Sequence, residues 1–283
     1  MKNFIIRTLT GIVFVGVLVG AIIYGPLTFG LLFALITGMS IWEFSSLINH
    51  KDDVYVNRFI TTLAGIYLFL AFHLYIGYSE INPAIASGGI FIPYLILILY
   101  LFISELYYDR PNPIANWGYA MLAQFYIALP FALLNLLAFT YNPELAHLEY
   151  SWATPLSVFI FLWANDSGAY CSGMLLGKHR LFPRISPKKS WEGSIGGAIL
   201  AIGVGYLLSI WFETDALIWM GLALVVVVFG TWGDLVESLL KRKLGIKDSG
   251  NILPGHGGML DRFDSSLIAI LAAVVYLYTL VIL

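Results

Sequence analysis

The chain runs LIWMGLALVVVVFGTWGDLVESLL over residues 217–240 and continues KRKLGIKDSGNILPGHGGMLDRFD over 241–264. The first half is apolar and long enough to cross a membrane, since a span needs about 20 apolar residues. The second half is the most polar long segment of the chain. Lys241, Arg242, Lys243, Lys247, Arg262 and His256 lie there, with Asp248, Asp261 and Asp264 among them. Gly245, Gly250, Gly255, Gly257 and Gly258 open its backbone to close approach by an anion. Bases, carboxylates and glycines together suit a metal–polyphosphate ligand. At the junction stand Asp234, Glu237, Ser238 and Lys241, which share one face of a helix. At 1.5 Å per residue, Asp234 is expected ~9–10 Å below the cytoplasmic end of its span. Two readings are open for this face: a metal or substrate site, or a polar stripe closed by a Glu237–Lys241 ion pair.

Outward from this stretch the pattern repeats. Of 283 residues 59% are hydrophobic and 11% charged, against about 25% charged in soluble domains. Nine apolar runs are long enough to be spans, roughly 5–25, 27–48, 59–77, 83–104, 115–139, 151–176, 194–212, 217–240 and 264–283. Pro130 is expected to kink the fifth. The basic residues sort cleanly among the connections. Lys2 and Arg7 open the chain; Lys51 and Arg58, then Arg110, then Lys178, Arg180, Arg184, Lys188 and Lys189, then Lys241 to Arg262 mark the even-numbered connections. The odd-numbered ones carry Glu80, Glu144, Glu149, Glu213 and Asp215 instead. By the positive-inside rule this predicts an all-α integral membrane protein of nine spans, with a cytoplasmic N-terminus and an extracytoplasmic C-terminus. The whole chain, 1–283, reads as one polytopic membrane domain, with the site segments within 151–264. The opening Met-Lys-Asn and the lack of a small-residue cleavage site point to an uncleaved first span. The lone Cys171 excludes an intramolecular disulfide and reads as a small packing residue.

Ionisable residues inside spans mark candidate sites, because an unpaired carboxylate at mid-membrane costs ~2.5–3.5 kcal/mol or more. Four stand out: Glu43, Asp166, Asp234 and Glu237. Asp166 sits in Ala-Asn-Asp-Ser-Gly-Ala-Tyr, either a site or a helix–helix hydrogen-bonding patch. Glu43 reads as snorkelling or pairing with Lys51 or Arg58. Lys188, Lys189 and Ser190 precede Trp191 and follow a rigid Pro187, so they serve either as a phosphate clamp or as a topology signal. His73 and His147 read as structural, whereas His256 is placed to donate to a phosphate. No P-loop motif or HExxH is present.

The glycine-rich stretch also resembles the signature of the phosphatidate cytidylyltransferase (CDP-diacylglycerol synthase) family. That pattern is Ser, two residues, Lys-Arg, four residues, Lys-Asp, then His-Gly-Gly, two residues, Asp-Arg, one residue, Asp. Here the positions are Ser238, Lys241-Arg242, Lys247-Asp248, His256-Gly257-Gly258, Asp261-Arg262 and Asp264. Ser186-Pro187-Lys188-Lys189-Ser190-Trp191-Glu192-Gly193 resembles a second block of the same family.

The resemblance implies nucleotidyl transfer from CTP to phosphatidate, giving CDP-diacylglycerol and pyrophosphate in phospholipid biosynthesis. It implies Mg2+, with a second cation permitted. Asp234 and Asp261 are the expected ligands, and Asp166, Glu237 and Asp248 are further candidates. Lys241, Arg242, Lys247 and Arg262 are expected to hold phosphates. His256, with the Gly257 and Gly258 backbone, would support the pyrophosphate, and Ser238, Lys188, Lys189 and Ser190 would bind substrate. The partners implied are CTP, phosphatidic acid and the bilayer, with no nucleic acid, and a homodimer. The location implied is the plasma (inner) membrane, with the site on its cytoplasmic side. Three rival readings are a CTP-dependent polyprenol or phytol kinase, an intramembrane aspartyl protease built on Asp166 and Asp234, and an ion-coupled transporter. The unbroken signature argues against the first. A chelator separates the second. The third would not need so dense a Gly/Lys/Asp/His loop.

Overall fold

A computed structural model of the protein describes residues 2–80, 82–142, 147–250, 252 and 257–282. All nine apolar runs are helical. In order these are α1 (Lys2–Tyr24), α2 (Pro26–Ile48), α3 (Arg58–Tyr78), the short α4 (Pro83–Ala86) leading to α5 (Ile92–Ser104), and α6 (Pro113–Ala123) continuing into α7 (Leu129–Ala138). Then come α8 (Ala153–Leu176), α9 (Trp191–Trp211), α10 (Ala216–Lys243) and α11 (Leu260–Ile282). Among the described residues, six helices are long and apolar enough to cross a membrane: Pro26–Ile48, Arg58–Tyr78, Pro113–Ala138, Trp191–Trp211, Ala216–Lys243 and Leu260–Leu280. Thr8–Tyr24 and Gly89–Ser104 are shorter apolar helices. The chain is an integral membrane protein.

The fold is not purely helical. Two antiparallel hairpins occupy polar connections: β1 (Phe139–Asn142) with β2 (His147–Tyr150), and β3 (Arg180–Phe182) with β4 (Ser186–Ser190). Each lies outside the apolar runs, where short segments pair with their sequence neighbours to satisfy backbone groups. Two further expectations are corrected. Helix α10 extends through Lys243, so Lys241, Arg242 and Lys243 form its last turn and do not lie in the following loop. There they complement the negative end of the helix dipole. Cys171 is exposed and is not a packing residue.

The chain divides into two compact units, residues 1–152 with 248–262, and residues 153–247 with 263–283. In the first unit Phe29, Phe33, Phe69 and Phe131 are fully buried, and their rings stand 4.8–6.4 Å apart. His73 is satisfied as expected: its Nδ1 lies 2.8 Å from Asn135 Oδ1. Pro130 has no N–H to offer the preceding turn, and the chain meets it with a wide π-helical turn over Gln124–Ala128. The polar connections meet in sets. Tyr55 N donates to Asn116 Oδ1 at 2.7 Å, and Asn116 Nδ2 to Glu105 Oε2 at 2.8 Å. Arg110 closes that network on Glu105 at 2.5 Å, with its guanidinium over the rings of Tyr55 and Tyr108. Separately, Leu148 N donates to Glu80 Oε2 at 3.0 Å, and Tyr150 Oη to Ile22 O at 2.6 Å.

In the second unit α8 and α9 touch backbone to backbone. A Cβ on Gly168 would lie 2.9 Å from Gly197 Cα and 3.1 Å from Gly196 O. Backbone atoms cannot rotate aside as a side chain can, so small residues are required at this crossing. We expect Gly168→Ala to cost about 1–3 kcal/mol, read as a lower melting temperature of the detergent-purified protein. An unchanged melting temperature would show that the two helices separate without penalty. This crossing fixes the face of α8 that carries Asp166, since α8 runs unbroken through Asn165-Asp166-Ser167.

Candidate active site

The second unit holds the polar face of α10. Ser238 Oγ donates to Asp234 Oδ1 at 3.1 Å, and Lys241 Nζ stands 2.6 Å from Glu237 Oε2. Glu237 is fully buried, and Lys241, one turn on, gives it a partner of opposite charge. The ion-pair reading of Glu237 and Lys241 is therefore realised in the structure.

Asp234 has a different partner. Lys189, delivered by β4, pairs with Asp234 Oδ2, and both side chains remain about a quarter exposed. Asp264, in the second turn of α11, lies within electrostatic reach of Asp234 and Lys241. Its Oδ1 accepts the N–H of Ser265 at 2.5 Å and the Ser265 hydroxyl at 3.1 Å. Gly233 permits this approach, because a Cβ there would sit 2.8 Å from Asp264 O. Three carboxylates (Asp234, Glu237 and Asp264) and two ammonium groups (Lys189 and Lys241) thus lie in this part of the second unit.

Beside them is a cavity of about 360 Å³, lined by Asp166, Tyr170, Lys188, Lys189, Ser190 and Thr231 among others. The first turn of α9 borders it, with Ser190 Oγ accepting the N–H of Gly193 at 3.1 Å as the N-cap. A helix N-terminus flanked by two lysines favours an anionic ligand such as a phosphate. Ser167 does not join the lining; its hydroxyl bonds back to Trp163 O at 2.8 Å. Arg242, Lys243 and Lys247 are exposed.

The first unit holds the glycine-rich loop, residues 248–262. Asp261 Oδ2 accepts the N–H of Ser249 at 2.8 Å and that of Gly258 at 2.9 Å. The Gly258 N–H, expected from the sequence to face pyrophosphate, is engaged by Asp261. Gly257 adopts φ +83, a left-handed conformation that favours glycine. Asp248 and Arg262 are exposed. His256 lies outside the described residues. Asp234 belongs to the second unit and Asp261 to the first.

Glu43 departs most from its sequence reading. It is buried, and neither Lys51 nor Arg58 is its partner. Lys51 Nζ donates to Tyr119 Oη at 2.9 Å. Arg58 lies over the Trp42 ring and donates to Ser46 Oγ at 3.1 Å. Glu43 instead accepts the Ser249 hydroxyl on Oε1 and the Met259 N–H at 2.7 Å on Oε2. Its presence inside an apolar run was the only available signal. Asp264 stands in the quoted signature but was not among the expected ligands, and it lies within electrostatic reach of Asp234.

The donor set fits Mg2+ brought in with phosphates. Among the described residues no three His, Cys, Asp or Glu side chains converge to hold a metal alone. Mg2+ does not require such a cage; it takes one or two carboxylates and completes its shell with phosphate oxygens and water. Asp234 and Asp264 supply that number.

The sequence pattern described as the cytidylyltransferase family matches residues 5–281. The chain belongs to the cytidylyltransferase family. A phosphatidate cytidylyltransferase of Haemophilus influenzae is 34% identical over 287 aligned positions, covering 92% of this chain and 93% of the relative. The phosphatidate cytidylyltransferases of Staphylococcus saprophyticus and Staphylococcus aureus are 49% and 50% identical over 112 positions, covering 39% of this chain and 43% of each relative.

Proposed function

We propose that this protein transfers the cytidylyl group of CTP to phosphatidate, releasing pyrophosphate and leaving CDP-diacylglycerol in the bilayer. The observation that carries the reading is the cluster of Lys189, Asp234 and Asp264 beside a cavity of about 360 Å³, in a chain that matches the family over 5–281. A phosphate-monoester oxygen of phosphatidate attacks the α-phosphorus of CTP. The bond from that phosphorus to the bridging oxygen breaks, and the electron pair leaves with pyrophosphate. The monoester has a second pKa of about 6, so it is largely dianionic at neutral pH and no strong general base is needed. The difficulty is bringing two anions together. Lys188 and Lys189 offset their charge at the cavity, and Ser190 orients the first turn of α9 toward it. Asp234 and Asp264 would hold Mg2+, which supplies charge neutralisation and stabilises the departing oxygen.

We further infer nine spans, a cytoplasmic N-terminus and a site opening to the cytosol at the plasma membrane. Two observations support this. The second and fourth connections bond to one another through Tyr55, Asn116 and Glu105, and the third and fifth through Glu80 and Leu148. Beyond Lys2 and Arg7 at the N-terminus, the basic residues occupy or border only the even set. CTP then arrives from the cytosol and phosphatidate from the bilayer.

The test is purified protein with phosphatidate, Mg2+ and CTP labelled on either the α- or the γ-phosphate. Label is expected in lipid from the α-position only, at a rate that ATP does not support. Entry of γ-label would assign a lipid kinase instead.

A further inference from the structure

Glu43 is separated from its loop partners by more than 200 residues of chain: 206 to Ser249, 216 to Met259 and 217 to Leu260. Its carboxylate is 5% exposed, yet both oxygens are used. Oε1 accepts the Ser249 hydroxyl, and Oε2 accepts the Met259 N–H at 2.7 Å with a longer contact to the Leu260 N–H at 3.4 Å. Met259 and Leu260 open α11, and their N–H groups are among those that a helix leaves without an internal partner. Glu43 thus caps α11 from another helix and places a negative charge at the positive end of its dipole. Asp261 binds the same loop from inside through Ser249 N and Gly258 N. Two glycines complete the fit, since a Cβ on Gly250 or Gly258 would run into the Glu43 carboxylate. Gly258 is small here because Glu43 fills the space beside it, and its N–H is already given to Asp261.

We propose that Glu43 is a positioning residue for cytidylyl transfer. It fixes residues 248–250 and 257–259 and the first turn of α11, and so the placement of Asp248, Asp261 and Arg262, without itself touching substrate. This rests on the function proposed above.

Glu43→Ala is expected to lower kcat by about 30-fold and leave KM for CTP and for phosphatidate within about 3-fold. Glu43→Gln retains the volume and one acceptor, and is expected to lower kcat by about 3-fold; it serves if the alanine variant does not fold. Glu105→Gln is the structural control, because Glu105 is likewise buried but bonds only Arg110 and Asn116 among the interactions described here. It should change melting temperature without changing kcat. Gly258→Ala alone should lower kcat by about 10-fold. In the Glu43→Ala background its Cβ meets the Ser249 hydroxyl, which is then released from Glu43 and can rotate aside, so the double variant should be no slower than Glu43→Ala alone. Fully multiplicative losses would overturn the proposal.

A readout independent of activity is amide hydrogen exchange. Residues 248–250 and 257–262 should exchange at least about 10-fold faster in either Glu43 variant, with α2 and α3 unchanged. Wild-type protection of the loop in the Glu43 variants, or a change in KM alone, would also overturn it. If the wild type fails to transfer cytidylyl groups, the functional reading falls, while the exchange experiment still decides whether Glu43 holds the loop.

Discussion

Asp234→Asn and Asp264→Asn are each expected to lower cytidylyl transfer by about 1,000-fold, roughly 4 kcal/mol of transition-state stabilisation, with the protein still inserted and folded. The two carboxylates repel one another, and a half-buried site exposes that repulsion more than water would. A divalent cation bound with the nucleotide repays it. Asparagine keeps the size and one oxygen at each position but removes the hard anionic ligand. At position 264 the amide oxygen can still accept the N–H and hydroxyl of Ser265, the two bonds that Asp264 makes now. Folding should therefore be insensitive to the change, and relief of repulsion should hold or raise the melting temperature. Activity and stability then move in opposite directions, as expected where a strained charge arrangement serves function. Lys243→Ala, on the exposed side of the last turn of α10, should retain most activity. The measurement is initial rate against Mg2+ concentration, with melting temperature for each variant. Turnover by both asparagine variants above about a tenth of wild type at low Mg2+ would sink the metal assignment.

The helices were legible in the sequence because membrane insertion imposes length and polarity on each span directly. Asp234, Glu237, Ser238 and Lys241 were placed on one face by spacing alone, and that face is present, with Ser238 bonded to Asp234 and Lys241 to Glu237. What spacing does not contain is which distant segment meets that face. Lys189 reaches Asp234 only because β3 and β4 fold back as a hairpin, and Ser186-Pro187-Lys188-Lys189-Ser190 has no alternation of apolar and polar residues to announce a strand. Glu43 was read against its nearest cations in sequence, Lys51 and Arg58. Those two are taken by Tyr119 and by Trp42 with Ser46. A buried carboxylate can be satisfied as well by N–H groups at a helix start as by a cation, and local sequence does not distinguish the two. The wide turn at Gln124–Ala128 is a similar case: Pro130 signals that a bond is missing, but not how the backbone absorbs the loss.

Lys189→Ala should lower kcat by about 100-fold, roughly 2.7 kcal/mol, and should at the same time lower the Mg2+ concentration needed for half-saturation. The two effects reflect the two places where Lys189 acts, the Asp234 carboxylate and the cavity. Lys189 Nζ pairs with Asp234 Oδ2, so in the resting protein the ammonium occupies the carboxylate that Mg2+ would use. Removing it frees Asp234 for the cation. It also leaves Asp234 and Asp264 with less positive charge nearby, and the melting temperature should fall, opposite in sign to Asp264→Asn. Catalysis suffers because Lys189 also lines the cavity, where a compact ammonium can pass from the carboxylate to a phosphate oxygen as substrate enters. Lys189→Arg keeps the charge but spreads it over a planar fork, and an intermediate loss of about 10-fold is expected. Lys188 lines the same cavity but is exposed; screened by solvent, it should cost less than about 5-fold on conversion to alanine. In the Asp234→Asn background, Lys189→Ala should lower kcat further, because the phosphate contact is lost whether or not the carboxylate is present, while its effect on Mg2+ half-saturation should disappear. A Lys189→Ala enzyme with kcat within about 3-fold of wild type would reduce Lys189 to a counter-ion for Asp234 and remove it from the reaction.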